Sequence, residues 1–137
     1  MREVIRARGH EHVAATHEST FEVTTDDWLT PAGDCIVGID ADRAPADVDD
    51  DFVAACRDPG AMITLTLETA DVRDEIHARG HPDLTFESDR SAVVRTSTYV
   101  DDRTVAVGAD AAAADLDRAL VAALADGAGL TLTLTVE

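Results

Sequence analysis

The chain has no lysine. All 11 of its basic residues are arginine, set against 20 aspartates and eight glutamates, which gives a formal net charge of −17 over 137 residues. Aromatic residues make up only 4% of the sequence, and there are two cysteines. No stretch reaches the roughly 18 consecutive apolar residues that a membrane-spanning helix needs. The opening residues, Met1 to Arg6, hold no apolar segment of the kind that drives secretion. A soluble cytoplasmic protein is expected, with no membrane partner. The lack of a basic stripe speaks against nucleic acid as a partner, because binding to phosphate backbones rests on such a stripe and weakens steeply with salt. Cys35 and Cys56 form no CxxC pair, and each falls in an apolar segment, so two buried thiols are expected rather than a disulfide or redox site.

An acid excess without lysine suits a halophile. At molar salt the Debye length falls to about 3 Å, so a densely acidic surface no longer repels itself. On this reading the charge adapts the solvated surface and does not point to a cationic partner. At 45% the hydrophobic content is high for a disordered acidic chain, and its periodicity points to a folded domain.

The sequence repeats itself. Residues 2–10 read REVIRARGH and residues 73–81 read RDEIHARGH, identical at six of nine positions. Asp42–Cys56 matches Asp110–Leu124 at eight of fifteen, and ITLTL at 63–67 matches LTLTL at 130–134. Each half reads as the same succession. A first strand covers Glu3–Gly9 or Asp74–Gly80, a second lies near Thr20–Thr25 or Ala92–Thr98, and a third covers Cys35–Ile39 or Thr104–Ala109. A helix follows at Pro45–Arg57 or Ala111–Asp126, with Asp42 and Asp110 as candidate caps. The last strand spans Met62–Thr69 or Leu130–Val136 and alternates leucine or isoleucine with threonine. The expected fold is mainly β with two helices, an α+β domain of two β-β-β-α-β halves, about 1–70 and 71–137, related by a pseudo-twofold. The halves should share one core in a single domain over 1–137, and each strand–helix–strand piece should cross over right-handed within one sheet.

Strand parity places Arg6, Arg8 and His10 on one face of the first strand and His77, Arg79 and His81 on the matching face of its copy. Arginine's planar fork suits phosphate or carboxylate. The leading functional expectation is therefore a module for a small anion, such as a phosphate-bearing metabolite or a nucleotide. Arg8, Arg79, His10 and His81 would converge on it, with Gly9 and Gly80 letting the backbone come close. A second possibility is a metal-dependent hydrolase with His10, His12 and His17 as ligands, since imidazole with carboxylate suits first-row metals. The second half does not keep that set. A third is an interaction protein whose closing strands lie at a sheet edge and pair between subunits as a homo-oligomer. Ser19, Ser88, Ser91 and Cys35 lack the setting of a catalytic nucleophile. Nothing in the sequence names a cofactor or decides whether the protein is an enzyme.

The segments RARGHEHVAATHESTFEVT at 6–24, TPAGDCIVGIDADRAPADV at 30–48 and RTVAVGADAAAADL at 103–116 resemble the archaeal family known as domain of unknown function 371. The resemblance covers nearly the whole chain. It implies an archaeal origin and a β-sandwich-like domain with helices attached, and it brings no established activity. The family pattern has a lysine after the helix-proximal aspartate in both halves. Here Arg43 stands in the first half and Ala111 in the second, so those two positions do not form a symmetric cationic pair.

Overall fold

A computed structural model describes residues 1–137. Four strands come from each half: β1 (Arg2–Arg8), β2 (Thr20–Thr24), β3 (Ile36–Gly38) and β4 (Met62–Glu68), then β5 (Arg73–Arg79), β6 (Ser91–Arg95), β7 (Thr104–Ala106) and β8 (Gly129–Val136). Helix α1 (Asp50–Cys56) precedes β4 and α2 (Arg118–Ala125) precedes β8. The strands form two four-stranded sheets, β1-β8-β4-β5 and β3-β2-β6-β7. Renumbering each half as the other turns both orders into themselves read backwards.

The expectation of a mainly β protein with two helices holds, and four details differ. The first is the helix. Pro45–Asp47 and Ala113–Asp115 form short 3₁₀ turns, the chain then extends at Val48 and Leu116, and the α-helices begin afresh. Asp49 and Asp117 cap them, each carboxylate accepting an N–H at 2.8 Å, from Asp51 and Ala119. Asp47 and Asp115 turn back to accept the N–H of Ala44 and Ala112. An aspartate two or three residues from a free amide offers the backbone a local partner, and this breaks the helix where apolar spacing alone would have continued it.

The second detail concerns Asp42 and Asp110, which cap nothing. They accept the N–H of Arg6 and of His77 on the outer edges of β1 and β5. The third is the crossover. β3 and β4 belong to different sheets, so the helix passes between sheets rather than over one. With seven residues, α1 is only about 10 Å long, and its last turn abuts Gly80, just beyond β5. The fourth is the position of the closing strands. β4 and β8 are the two central strands of their sheet, each paired on both sides. β1 and β5 are the edges, and they are covered. Arg8 exchanges backbone hydrogen bonds with Ile39, Arg79 does so with Val107, and Asp42 and Asp110 donate to Arg6 and His77 carbonyls. Arg43 donates to the Val4 carbonyl and to Glu3. Edges closed in this way resist pairing with another chain.

One buried cluster of 33 residues takes side chains from both sheets, both helices and both halves. Ile63, Leu65, Leu67, Leu130, Leu132 and Leu134 supply the inner face of the first sheet, and Phe21, Val23, Val94 and Val105 that of the second. Both cysteines are free. Cys56 is fully buried and burial pushes its thiol up to about 12, while half-buried Cys35 is raised by burial and by neighbouring Glu22. Thiolate is the reactive form, so at pH 8 Cys56 should be alkylated roughly a thousandfold more slowly in the native protein than in urea. Mass-spectrometric labelling would measure this, and rapid native modification of Cys56 would contradict it. No helix is long and apolar enough to cross a membrane.

Candidate functional site

The repeated Arg-Gly-His segments turn out to organise the fold. Arg8 and Arg79 do not converge. β1 and β5 are separated by β8 and β4. Arg8 is level with Gly129 at one end of β8, and Arg79 is level with Met62, which pairs with Glu137 beyond the other end. Three strand spacings across and eight residues along put them on the order of 30 Å apart, at opposite corners of the sheet. Arg8 Nε reaches Asp40 Oδ2 at 3.1 Å. Position 108, equivalent to Asp40, is glycine with the same left-handed φ, 59° against 58°. Arg79 therefore lies against bare backbone.

The glycines serve helix packing, not ligand approach. A Cβ on Gly9 would lie 1.9 Å from the Leu124 carbonyl oxygen, and one on Gly80 would lie 2.2 Å from that of Cys56. The first strand of each half thus receives the helix of the other. The histidines close turns. Nδ1 of His10 accepts the N–H of His12, and Nδ1 of His81 accepts that of Asp83, both at 3.0 Å. His17 Nδ1 accepts the N–H groups of Ser19 and Thr20. His10 and His12 lie side by side with ring centres 5.1 Å apart and planes tilted by 36°, but nowhere do three or more histidine, cysteine or carboxylate side chains converge as metal ligands. The structure therefore does not assemble His10, His12 and His17 into a metal centre.

On the second sheet, arginines meet carboxylates. Arg90 grips Asp26 through Nε and Nη2 at 2.7–3.0 Å and holds the Asp26 carboxyl below its ordinary range. Arg95 and Arg103 bind Asp101, and Arg103 also reaches Glu22 at 3.8 Å. Arg95 lies over the Tyr99 ring at 4.8 Å.

The outer face of the first sheet is different. The pairing registers place its side chains in rows across β1, β8, β4 and β5. One row reads Arg6, Thr131, Glu68, Arg73. The central row reads Val4, Thr133, Thr66, Glu75. The next reads Arg2, Thr135, Thr64, His77. Exchanging the halves maps the outer two rows onto each other and the central row onto itself, so Arg2 and Arg73 are equivalent. Five of the 11 arginines stand on this face, and four of them, Arg2, Arg6, Arg73 and Arg79, make no ion pair with any of the 28 carboxylate residues.

Two depressions open here. One of about 380 Å³ covers the centre, with a floor of Thr64, Thr66, Thr133 and Thr135 and with Arg2 and Arg73 on its rim from opposite edges. Glu68, Glu75 and Glu137 also line it, and no apolar side chain does. The other, of about 470 Å³, adjoins it across Glu68 and is bordered by Arg6, Ala7, Ala70 and Leu130. Both Arg2 and Arg73 stand in the repeated sequence. Nothing there says that β4 and β8 pair and so set the two arginines about one centre. The threonines read simply as a solvated face.

The fold and this face define a small two-sheet β protein with a polar, arginine-rimmed sheet surface. The chain belongs to the family described as Domain of unknown function (DUF371), matched over residues 5–137. It is similar to an uncharacterized protein of the archaeon Methanocaldococcus jannaschii, with 37% identity over 133 residues that cover 97% of this chain and 98% of the relative.

Proposed function

We propose that the protein is a binding module for a small phosphate-bearing ligand and that the outer face of the β1-β8-β4-β5 sheet is its recognition surface. The observation that carries this reading is the pair Arg2 and Arg73. They come from opposite edge strands, line one cleft and have no carboxylate partner in a strongly acidic chain. An unpaired guanidinium offers a fork of donors to a phosphate. The glutamates in the same cleft argue against a bare anion. They accept hydrogen bonds, as the threonine hydroxyls can also do, so a ligand carrying hydroxyls beside its phosphate satisfies both kinds of group. A sugar phosphate or a nucleotide has this chemistry. The face has no phenylalanine, tyrosine or tryptophan side chain on which to stack a strand of bases, which disfavours single-stranded nucleic acid.

Two equivalent arginines about one centre also fit an origin of the halves as copies of one β-β-β-α-β unit. The lysine-free acidic surface fits a protein of a high-salt archaeal cytoplasm, so measurements belong in molar KCl.

A melting screen with ribose 5-phosphate, pyrophosphate and nucleoside phosphates tests the reading. A ligand at a hundred times its dissociation constant adds about 2.7 kcal/mol, which for a chain of this size is a rise of roughly 8 °C. The rise should vanish in the double variant Arg2→Ala, Arg73→Ala and persist in Arg8→Ala, Arg79→Ala. No rise in the wild type, or an equal rise in the first double variant, would overturn the proposal.

A further inference from the structure

The free arginines of the outer face are not symmetric about its centre. Exchanging the halves swaps Arg2 with Arg73, but it carries Arg6 onto His77. The His77 ring is engaged, held between Glu75 and Asp110 at 3.7 and 3.5 Å. Asp42, the image of Asp110, accepts the backbone N–H of Arg6 at 2.9 Å and leaves its guanidinium free. Arg6 borders the larger of the two depressions.

That depression is open because of one residue. Gly129 begins β8 where Met62 begins β4, and Met62 stands half exposed at the image position. A Cβ on Gly129 would meet no atom within 4 Å, so glycine relieves no clash there and only leaves space. Ala7 and Leu130 turn their side chains inward against Gly38, so the cleft is walled there by backbone. The side chains that reach it include Arg6, Glu68 and Thr131. A polar cleft with one free guanidinium suits an anion.

Glu68 borders both clefts. With Thr131 it stands between Arg6 and Arg73 in one row, and it makes no ion pair with either. A carboxylate at that point repels phosphate and accepts hydrogen bonds from hydroxyls. Along β8 one cleft takes Gly129 to Thr131 and the other takes Thr133 and Thr135, so their centres lie on the order of 10 Å apart.

We infer that the ligand carries two phosphate groups joined by a hydroxylated linker. Arg2 and Arg73 hold one phosphate over the threonine floor, Arg6 holds the other in the cleft that Gly129 leaves open, and the linker crosses Glu68. This rests on the proposed function and names its ligand class. A sugar bisphosphate has this composition. The image of the Arg6 cleft is filled by Met62, and its histidine is already engaged, so the second phosphate site is single and the ligand has one orientation.

The test compares fructose 1,6-bisphosphate with fructose 6-phosphate by calorimetric titration in molar KCl. The proteins are the wild type, Arg6→Ala, Gly129→Met and Arg79→Ala. The last removes an unpaired arginine of the same face that borders neither cleft, and so controls for net charge. At molar salt the Debye length is about 3 Å, so direct contacts survive and longer-range attraction does not. In the wild type the bisphosphate should bind at least about tenfold more tightly, the return on one charge-assisted contact. The preference should disappear in Arg6→Ala and in Gly129→Met, with fructose 6-phosphate unaffected, and persist in Arg79→Ala. Equal affinities in the wild type, a preference that survives in Arg6→Ala, or one lost equally in Arg79→Ala would overturn the second phosphate site and leave the first standing. Failure of both compounds to bind the wild type would overturn both readings.

Discussion

Gly80→Ala and Gly9→Ala should each destabilise the protein by about 3 kcal/mol or more, at or above the upper end of the usual cost of overpacking a core. The new methyl would sit 2.2 Å from the Cys56 carbonyl oxygen at position 80 and 1.9 Å from that of Leu124 at position 9. Both obstacles are backbone atoms at the end of a helix, so no side chain can rotate away and the helix itself must move. For a chain of this length the loss is a fall in melting temperature on the order of 10 °C. Gly129→Ala is the control, because its methyl meets nothing, and it should melt at or slightly above the wild-type temperature. Denaturant titrations of the three variants in molar KCl decide the matter. Wild-type stability in Gly9→Ala would mean that the helix does not press on β1 as the structure has it.

Phe52→Ala should cost about 3–5 kcal/mol, the usual range for emptying a buried phenylalanine site. Phe52 on α1 is 1% exposed and meets Phe86 edge to face, with ring centres 6.5 Å apart at 72°. Offset and edge-on aromatic pairs add about 0.5–1.5 kcal/mol to simple burial. Phe86 belongs to the other half. Its backbone is left-handed, as is that of Ala15 in the equivalent loop, at φ of 52° and 49°. The reciprocal contact joins α2 to the first half: Arg118 donates to the Ala15 carbonyl, and the Ala114 N–H to that of His17. Each helix is thus built into the opposite half. The variant should therefore lose stability throughout and still unfold in one transition by circular dichroism and by exposure of Cys56, and neither half should fold when expressed alone. Two separate transitions, or a loss below about 1 kcal/mol, would refute the shared core.

Both experiments bear on how to interpret a repeated motif. Arg-Gly-His occurs twice in a chain with only 11 cationic residues, and a shared anion site is the natural inference from spacing. In the fold, apart from the Arg79 side chain, each residue of the motif already has work. Arg8 pairs with Asp40, the glycines admit helix ends, and the histidines accept turn amides. A repeat preserves whatever each half needs, and what each half needs first is to fold. Among the arginines with no ion-pair partner are the two at the start of the repeat, Arg2 and Arg73, and these two line one cleft.

Local pattern along the chain is enough to tell strand from helix and to give each strand its buried face. Alternation of leucine or isoleucine with threonine fixes which side of β4 and β8 is buried, because side chains alternate along any strand whatever its neighbours. The strand boundaries agree to within a few residues for the same reason. The repeat of β-β-β-α-β is legible because local periodicity and turn chemistry are written in consecutive residues. Pairing is not. That β4 and β8 lie side by side at the centre, and that β3 and β4 separate into different sheets, depends on contacts between residues far apart in the chain. No local pattern ranks one partner above another. The helix break at Val48 and Leu116 lay between these extremes. Its aspartates are visible in the sequence, but which amide each would bind depended on where the sheets held the chain. The candidate site belongs wholly to the tertiary structure. Arg2 and Arg73 stand 71 residues apart in the sequence, and only the order β1-β8-β4-β5 brings them to one cleft.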